Sequence, residues 1–176
     1  MAQSVELTLD PSAEAAVVAQ WDRLAAAGLA RQQRPEPHSH HVPHITLYAA
    51  DAIPVAAESA LREIVAELDL TVRIGALMIF GPRNGRCILV RHILASVELL
   101  ELQHRVAEAC EADPAGQFGP GRWSPHVTLA RRVAADQLGA AARALDGSAR
   151  DVVSRTRQCR RWDGKRRTAW WLTSAE

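Results

Sequence analysis

The sequence predicts an α+β fold: a duplicated, bilobal arrangement whose two lobes are related by a pseudo-twofold axis. Each lobe is expected to hold an antiparallel or mixed sheet with helices outside it, and a groove should run between the lobes. Three observations carry this. Short alternating segments interleave with Ala- and Leu-rich segments of helical spacing. The pentad Pro-His-apolar-Thr-Leu occurs twice, at 43–47 and 125–129, with His44 and His126 82 positions apart. Sliding the chain on itself by 82 also sets Leu7 on Leu89, Phe80 on Trp162 and loop 31–43 on loop 113–125, with no gap. The whole chain, 1–176, is therefore expected to be one domain whose lobes exchange strands.

The elements follow in order. "SVELTLD" alternates Val5, Leu7 and Leu9 with polar residues and reads as a half-buried strand. "PSAEAAVVAQWDRLAAAGLA" is helical, with an acid near its start and Gly28 near its end. Residues 31–43 form a proline-broken loop, and "HITLY" is a strand. "PVAAESALREIVAELDL" spaces Leu61, Ile64 and Leu68 helically, with Pro54 suited to a first turn. "LTVRIGALMIF", the turn "GPRNG" and "RCILV" form a hairpin. The second half repeats the order: a helix over 94–112, a Gly/Pro loop over 113–125, the strand "HVTLA" and a helix over 135–147. "DVVSRTRQCRRW" reads as one strand, turning through "DGK" into the last strand, "RRTAWWL".

Nearly half of the 176 residues are apolar, enough for a true core, and a net charge of +1 does not mark the whole chain as a polyanion binder. Cys87, Cys110 and Cys159 lack metal-site spacing and read as reduced thiols. The N-terminus has no secretory pattern and no apolar run approaches the roughly 18 residues of a membrane span, so a cytoplasmic protein is expected.

Strand alternation divides each pentad. Ile45 and Leu47, and Val127 and Leu129, should enter the core, while His44 with Thr46 and His126 with Thr128 face outward together. A twofold axis would bring the two polar pairs to one groove. Two imidazoles with ordinary pKa near 6.5 can then act as base and acid, one taking a proton from water and one giving a proton to a leaving oxygen. Threonine hydroxyls can donate to non-bridging phosphate oxygens, so in-line attack at phosphorus without metal is the natural reaction. Folding needs the apolar members of the pentad, not both polar ones.

These residues resemble the two-histidine (2H) phosphoesterase superfamily, with its two His-x-Thr-x motifs in duplicated lobes. Within it the chain is similar to the bacterial 2'-5' RNA ligase and RNA 2',3'-cyclic phosphodiesterase group. "PHITL", "FGPRNGRCILV" and "SPHVTLAR" carry the likeness over nearly the whole length. The resemblance implies that His44 and His126 are the catalytic pair and Thr46 and Thr128 bind phosphate. It implies that His44 protonates the departing 3' oxygen and His126 activates water, leaving a 2'-phosphate. Arg131 matches an arginine that often follows the second motif and would join the phosphate site. Strict alternation would put Arg131 on the wrong face, so a bulge or strand end is expected there. The first motif continues as "YAAD" where many relatives have Phe-Leu-Gly, which leaves other cyclic or 2'-5' phosphodiester substrates open.

Further candidates surround the motifs. Residues 150–167 hold eight basic residues against two acidic ones, and Arg155 and Arg157 in particular are expected to touch substrate; the bland alternative is a solvated strand. Trp123 either stacks on a base or anchors its loop. Tyr48 shares the alternation of His44 and Thr46 and either lines the groove or simply packs. His38, His40, His41 and His44 lie close in sequence, but a proline-broken loop without Cys or acidic ligands makes a poor metal site. The expectation is a monomeric hydrolase with no metal, no cofactor and no membrane. Its partner would be RNA or a nucleotide bearing a 2',3'-cyclic phosphate or 2'-5' linkage. The competing class is a non-catalytic nucleotide- or RNA-binding module using the same groove.

Overall fold

Caps and turns fix several element boundaries. In the computed structural model, which describes residues 3–32, 41–147 and 150–173, Asp10 accepts hydrogen bonds from the backbone N–H of Ser12 and Ala13 and so starts the first helix, with Pro11 in its first turn. The elements are β1 (Gln3–Thr8), α1 (Pro11–Ala26), β2 (His44–Ala50), α2 (Ala57–Ile64), β3 (Leu70–Arg83), β4 (Arg86–Leu94), α3 (Val97–Ala109), β5 (His126–Ala134), α4 (Leu138–Ala144), β6 (Val152–Thr156), β7 (Cys159–Asp163) and β8 (Thr168–Trp171). Ser96 caps α3. Asn84 and Gly85, both at positive φ, make the Asn-Gly turn that closes the β3–β4 hairpin.

The fold is α+β, with one eight-stranded antiparallel sheet in the order β6-β3-β4-β5-β2-β1-β7-β8. Its two halves, β6-β3-β4-β5 and β2-β1-β7-β8, meet between the two motif strands at the pair Ile45–Val127. The helices cross over: α1 packs on β5 and β6, and α3 packs on β2 and β3. Each motif strand is thus backed by the helix that precedes the other motif. Val5, Leu7, Trp21, Ile45, Leu47, Leu99, Val127 and Leu129 form the centre of the core.

The last strands depart from the sequence expectation. The single strand predicted over 151–162 is two strands, β6 paired with β3 and β7 paired with β1. They stand at remote places in the strand order, yet Thr156 and Cys159 are three residues apart, which allows at most about 11 Å. The sheet must therefore curl. Arg155 N–H bonds to Asp10, and Asp10 N–H to Ser154 Oγ, tying β6 to the end of β1. No Gly or Pro marks the break, so composition could not reveal it. Among the described residues no helix is long and apolar enough to cross a membrane.

Candidate active site

The site begins with the two prolines. A residue before proline is held in extended backbone, which turns the carbonyls of Val42 and Ser124 toward the histidines two positions on. His44 Nδ1 lies 2.8 Å from Val42 O, and His126 Nδ1 lies 2.7 Å from Ser124 O. A carbonyl only accepts, so Nδ1 carries the hydrogen in both rings and each Nε2 is left for other partners. Ile45 and Val127 are fully buried while His44, Thr46, His126 and Thr128 are half-buried. Antiparallel register through Ile45–Val127 sets His44 across from Thr128 and Thr46 across from His126. The two polar pairs thus share one groove face. The Thr46 and Thr128 hydroxyls make no hydrogen bond among the described residues.

Both motif strands then bulge at the same point. Val5 pairs with Tyr48 but Glu6 with Thr46, and Leu89 pairs with Ala130 but Val90 with Thr128, so Leu47 and Leu129 are each passed over by the partner strand. After the bulge the alternation reverses. Arg131 falls on the groove side, and its charge acts on His126. Tyr48 goes the opposite way: the strict alternation that placed it at the groove fails, and it is buried, edge-to-face against Phe118.

A bulge frees backbone carbonyls that, once buried, need partners. Trp123 Nε1 donates to Thr46 O at 3.0 Å, and Trp21 Nε1 donates to Thr128 O at 3.1 Å. Gln103 on α3 adds a bond to Leu47 O. Trp123 therefore anchors the second loop onto the first motif strand. Trp123→Phe is expected to leave the Thr46 carbonyl unpaired and cost roughly 1–3 kcal/mol, read as a lower urea midpoint at unchanged slope.

The neighbours of the two histidines differ. Glu6 on β1 is 4% exposed and lies with its Oε1 3.5 Å from His44 Nε2. Arg160 on β7 holds the other oxygen through Nε at 2.9 Å and Nη2 at 2.8 Å, and Ser4 Oγ donates to Oε1 at 2.6 Å. Burial works to raise the Glu6 carboxyl, but the charges of His44 and Arg160 and these hydrogen bonds outweigh it and hold it below the usual carboxylate value. His126 instead packs edge-on against Phe80 and stands opposite His92 on β4. Burial pushes its pKa down; the Ser124 bond opposes this, while Arg131, His44 and His92 add to the lowering. Glu6, Phe80 and His92 escaped sequence reasoning as site residues, and Arg160 entered it only as one of the eight basic residues of 150–167. Glu6 inside an alternating strand was the one visible signal.

Arg155 grips Asp69 with two hydrogen bonds, and Arg157 lies 3.8 Å from the same carboxylate. Both still line a groove of about 590 Å³ that also includes Thr8, Val42, Arg160 and Trp171. Thr8 pairs with His44 across β1 and β2, so this groove opens beside the first motif. Elsewhere in the basic segment, Arg161 is buried, bonded to Glu58 and Gln3 beneath the Trp170 ring. His38 and His40 lie outside the described residues. His41 stacks on Trp21 and bonds to the Gln32 carbonyl.

Solved structures share this architecture. A protein of Thermus thermophilus, TT0787, superposes with a TM-score of 0.59 at 19% identity, covering 97% of this chain and 93% of its own. Escherichia coli LigT complexed with ATP gives 0.56 at 12% identity, with 98% of each chain covered. Kluyveromyces marxianus Usb1 with uridine monophosphate gives 0.52 at 13% identity, with 97% of each covered. At these identities the likeness is one of fold. No curated protein sequence is significantly similar to this chain. The profile of the 2'-5' RNA ligase superfamily, however, matches residues 10–171, which include both His-x-Thr motifs, and the chain belongs to that superfamily.

Proposed function

We propose that the protein is a metal-independent phosphoesterase that opens 2',3'-cyclic phosphates at RNA ends or on nucleotides, with reversible 2'-5' ligation as the same ring opening performed by a 5'-hydroxyl in place of water. The observation that supports it most is the crosswise placement of two imidazoles and two free threonine hydroxyls on one groove face. His126 Nε2 takes a proton from water, whose oxygen forms the new bond to phosphorus. The bond from phosphorus to the 3' oxygen breaks, and His44 Nε2 supplies the proton to that oxygen. Thr46, Thr128 and Arg131 donate to the non-bridging oxygens, where charge builds in the transition state. The product is a 2'-phosphate. The environments support this assignment of roles: an apolar, cationic setting favours neutral His126, and a carboxylate stands at His44. Relatives of the fold bound to uridine monophosphate and ATP are consistent with a nucleotide ligand. We further propose that the domain arose by duplication at the 82-residue offset, which the paired bulges and the paired histidine–carbonyl bonds support.

The test is hydrolysis of the four 2',3'-cyclic nucleotides in EDTA, with 2'- and 3'-phosphate products separated. Turnover to the 2'-phosphate is expected. Tight nucleotide binding with no turnover across mono- and oligonucleotide cyclic phosphates and 2'-5' linkages would instead identify a binding module. The pH profile carries its own expectation. A base works only when neutral, and the His126 pKa lies below the ordinary value of about 6.5. The acid limb of kcat/KM should therefore fall below pH 6.5, so activity persists to lower pH than an unperturbed histidine would allow; a limb at or above 6.5 contradicts it.

A further inference from the structure

The two halves of the sheet are alike at the motifs and unlike one strand further out. Opposite Thr46 stands Glu6, and opposite Glu6 stands Arg160. In the other half, opposite Thr128 stands Val90, and opposite Val90 stands Met78. One flank of the groove thus carries a buried ion pair where the other carries two apolar side chains. The sheet is built without such a pair on the second side, so the architecture does not require it on the first. A buried ion pair is seldom a gain in stability over well-packed apolar residues, and this one points its carboxylate at a motif histidine.

We propose that Glu6, held ionised by Arg160, is a positioning residue that keeps the proton on His44 Nε2 and so decides which of two otherwise equivalent histidines is the acid. The inference rests on the phosphoesterase reading above and deepens it. His44 faces an acceptor on both sides, the Val42 carbonyl at Nδ1 and Glu6 Oε1 at Nε2, which is the pattern an imidazolium satisfies with its two N–H donors. His126 has the carbonyl at Nδ1 and no carboxylate at Nε2 among the described residues, which suits the neutral ring. At 3.5 Å the Glu6 contact is longer than a tight charge-assisted hydrogen bond. The proton is attracted but remains available to a leaving oxygen. Arg160 and Ser4 occupy the rest of the carboxylate, so Glu6 does not take the proton for itself. Among the described residues, the charged and titratable groups around His44 are Glu6 from β1, Arg160 from β7 behind it and His126 from β5. Around His126 they are Arg131 from its own strand, His92 from β4 and His44 from β2.

The first measurement needs neither turnover nor a variant. Ring ¹⁵N shifts of the wild-type protein, followed through a pH titration, should show His44 keeping its imidazolium to higher pH than His126. The reverse order, or coincident titrations, overturns the proposal. The second uses Glu6→Gln, together with Glu6→Gln/Arg160→Met, which leaves no unpaired charge should the single variant fail to fold. In either, the alkaline limb of the kcat profile should move to lower pH, so that activity at pH 8 drops about tenfold more than at pH 6, while the acid limb set by His126 stays in place. A uniform loss at all pH values would mark Glu6 as merely structural and overturn the assignment. Failure of the underlying reading is recognised separately, as a wild-type protein that turns over no cyclic phosphate.

Discussion

His126→Ala is expected to slow hydrolysis of a 2',3'-cyclic nucleotide by roughly 10²–10⁴-fold with the fold intact, and His44→Ala to do the same. Both rings are half-buried at a groove wall, and their Nδ1 partners are carbonyls near the surface, so truncation opens space to solvent rather than a sealed cavity in the core. Circular dichroism and the urea midpoint should therefore stay close to wild type. The two losses become distinguishable when the leaving group changes. A nitrophenyl phosphodiester expels an oxygen that needs no proton, so the acid is dispensable while the base is not. On that substrate His44→Ala should recover most of its activity and His126→Ala should recover none. Recovery by His126→Ala instead would reverse the roles, and full activity of either variant on the cyclic substrate would remove that histidine from the chemistry.

Arg160→Met should destabilise the protein by about 3–5 kcal/mol near neutral pH, the usual cost of stranding one member of a buried ion pair. Glu6 and Arg160 are each almost fully buried, and the guanidinium supplies two of the bonds that satisfy the carboxylate. The pH dependence has a definite sign. In the wild type the Glu6 carboxyl is held below its ordinary value, so its contribution is present above the unfolded carboxyl pKa of about 4.3 and is lost as pH falls through the folded value. Without Arg160, burial pushes the carboxyl upward, and protonation relieves the penalty. The gap between variant and wild type should therefore narrow as pH drops below about 5, measured by urea unfolding across that range. A gap that stays constant with pH would mean the arginine acts by packing alone.

Much of the fold and of the site lies open in the amino-acid order because it rests on local rules. The pentads announce two strands, and alternation inside them separates Ile45, Leu47, Val127 and Leu129 from His44, Thr46, His126 and Thr128. The Asp10 cap, the Asn84–Gly85 turn and the 82-residue echo are likewise readable over a few residues each. Tyr48 shows where such rules stop. Its place depends on a bulge that exists only because β2 runs beside β1, and period-two counting continues straight through it. Arg131 likewise reaches its side of the strand through a bulge that alternation does not supply.

The order of residues, then, sufficient for the element types and the four polar motif residues, was silent on whatever joins positions remote in sequence. Glu6 and Arg160 are 154 residues apart, Trp123 reaches back 77 residues to Thr46 O, and Trp21 reaches forward 107 to Thr128 O. The break between β6 and β7 belongs to the same class, since it appears only when each strand finds its partner in a different half of the sheet. Short-range periodicity reports which face a side chain takes on its own strand. Which strand lies next to it, and so which charge meets which imidazole, is settled by the packing of the whole sheet. The symmetry of the two motifs is written in the chain, and the asymmetry between His44 and His126 comes from their neighbours in space.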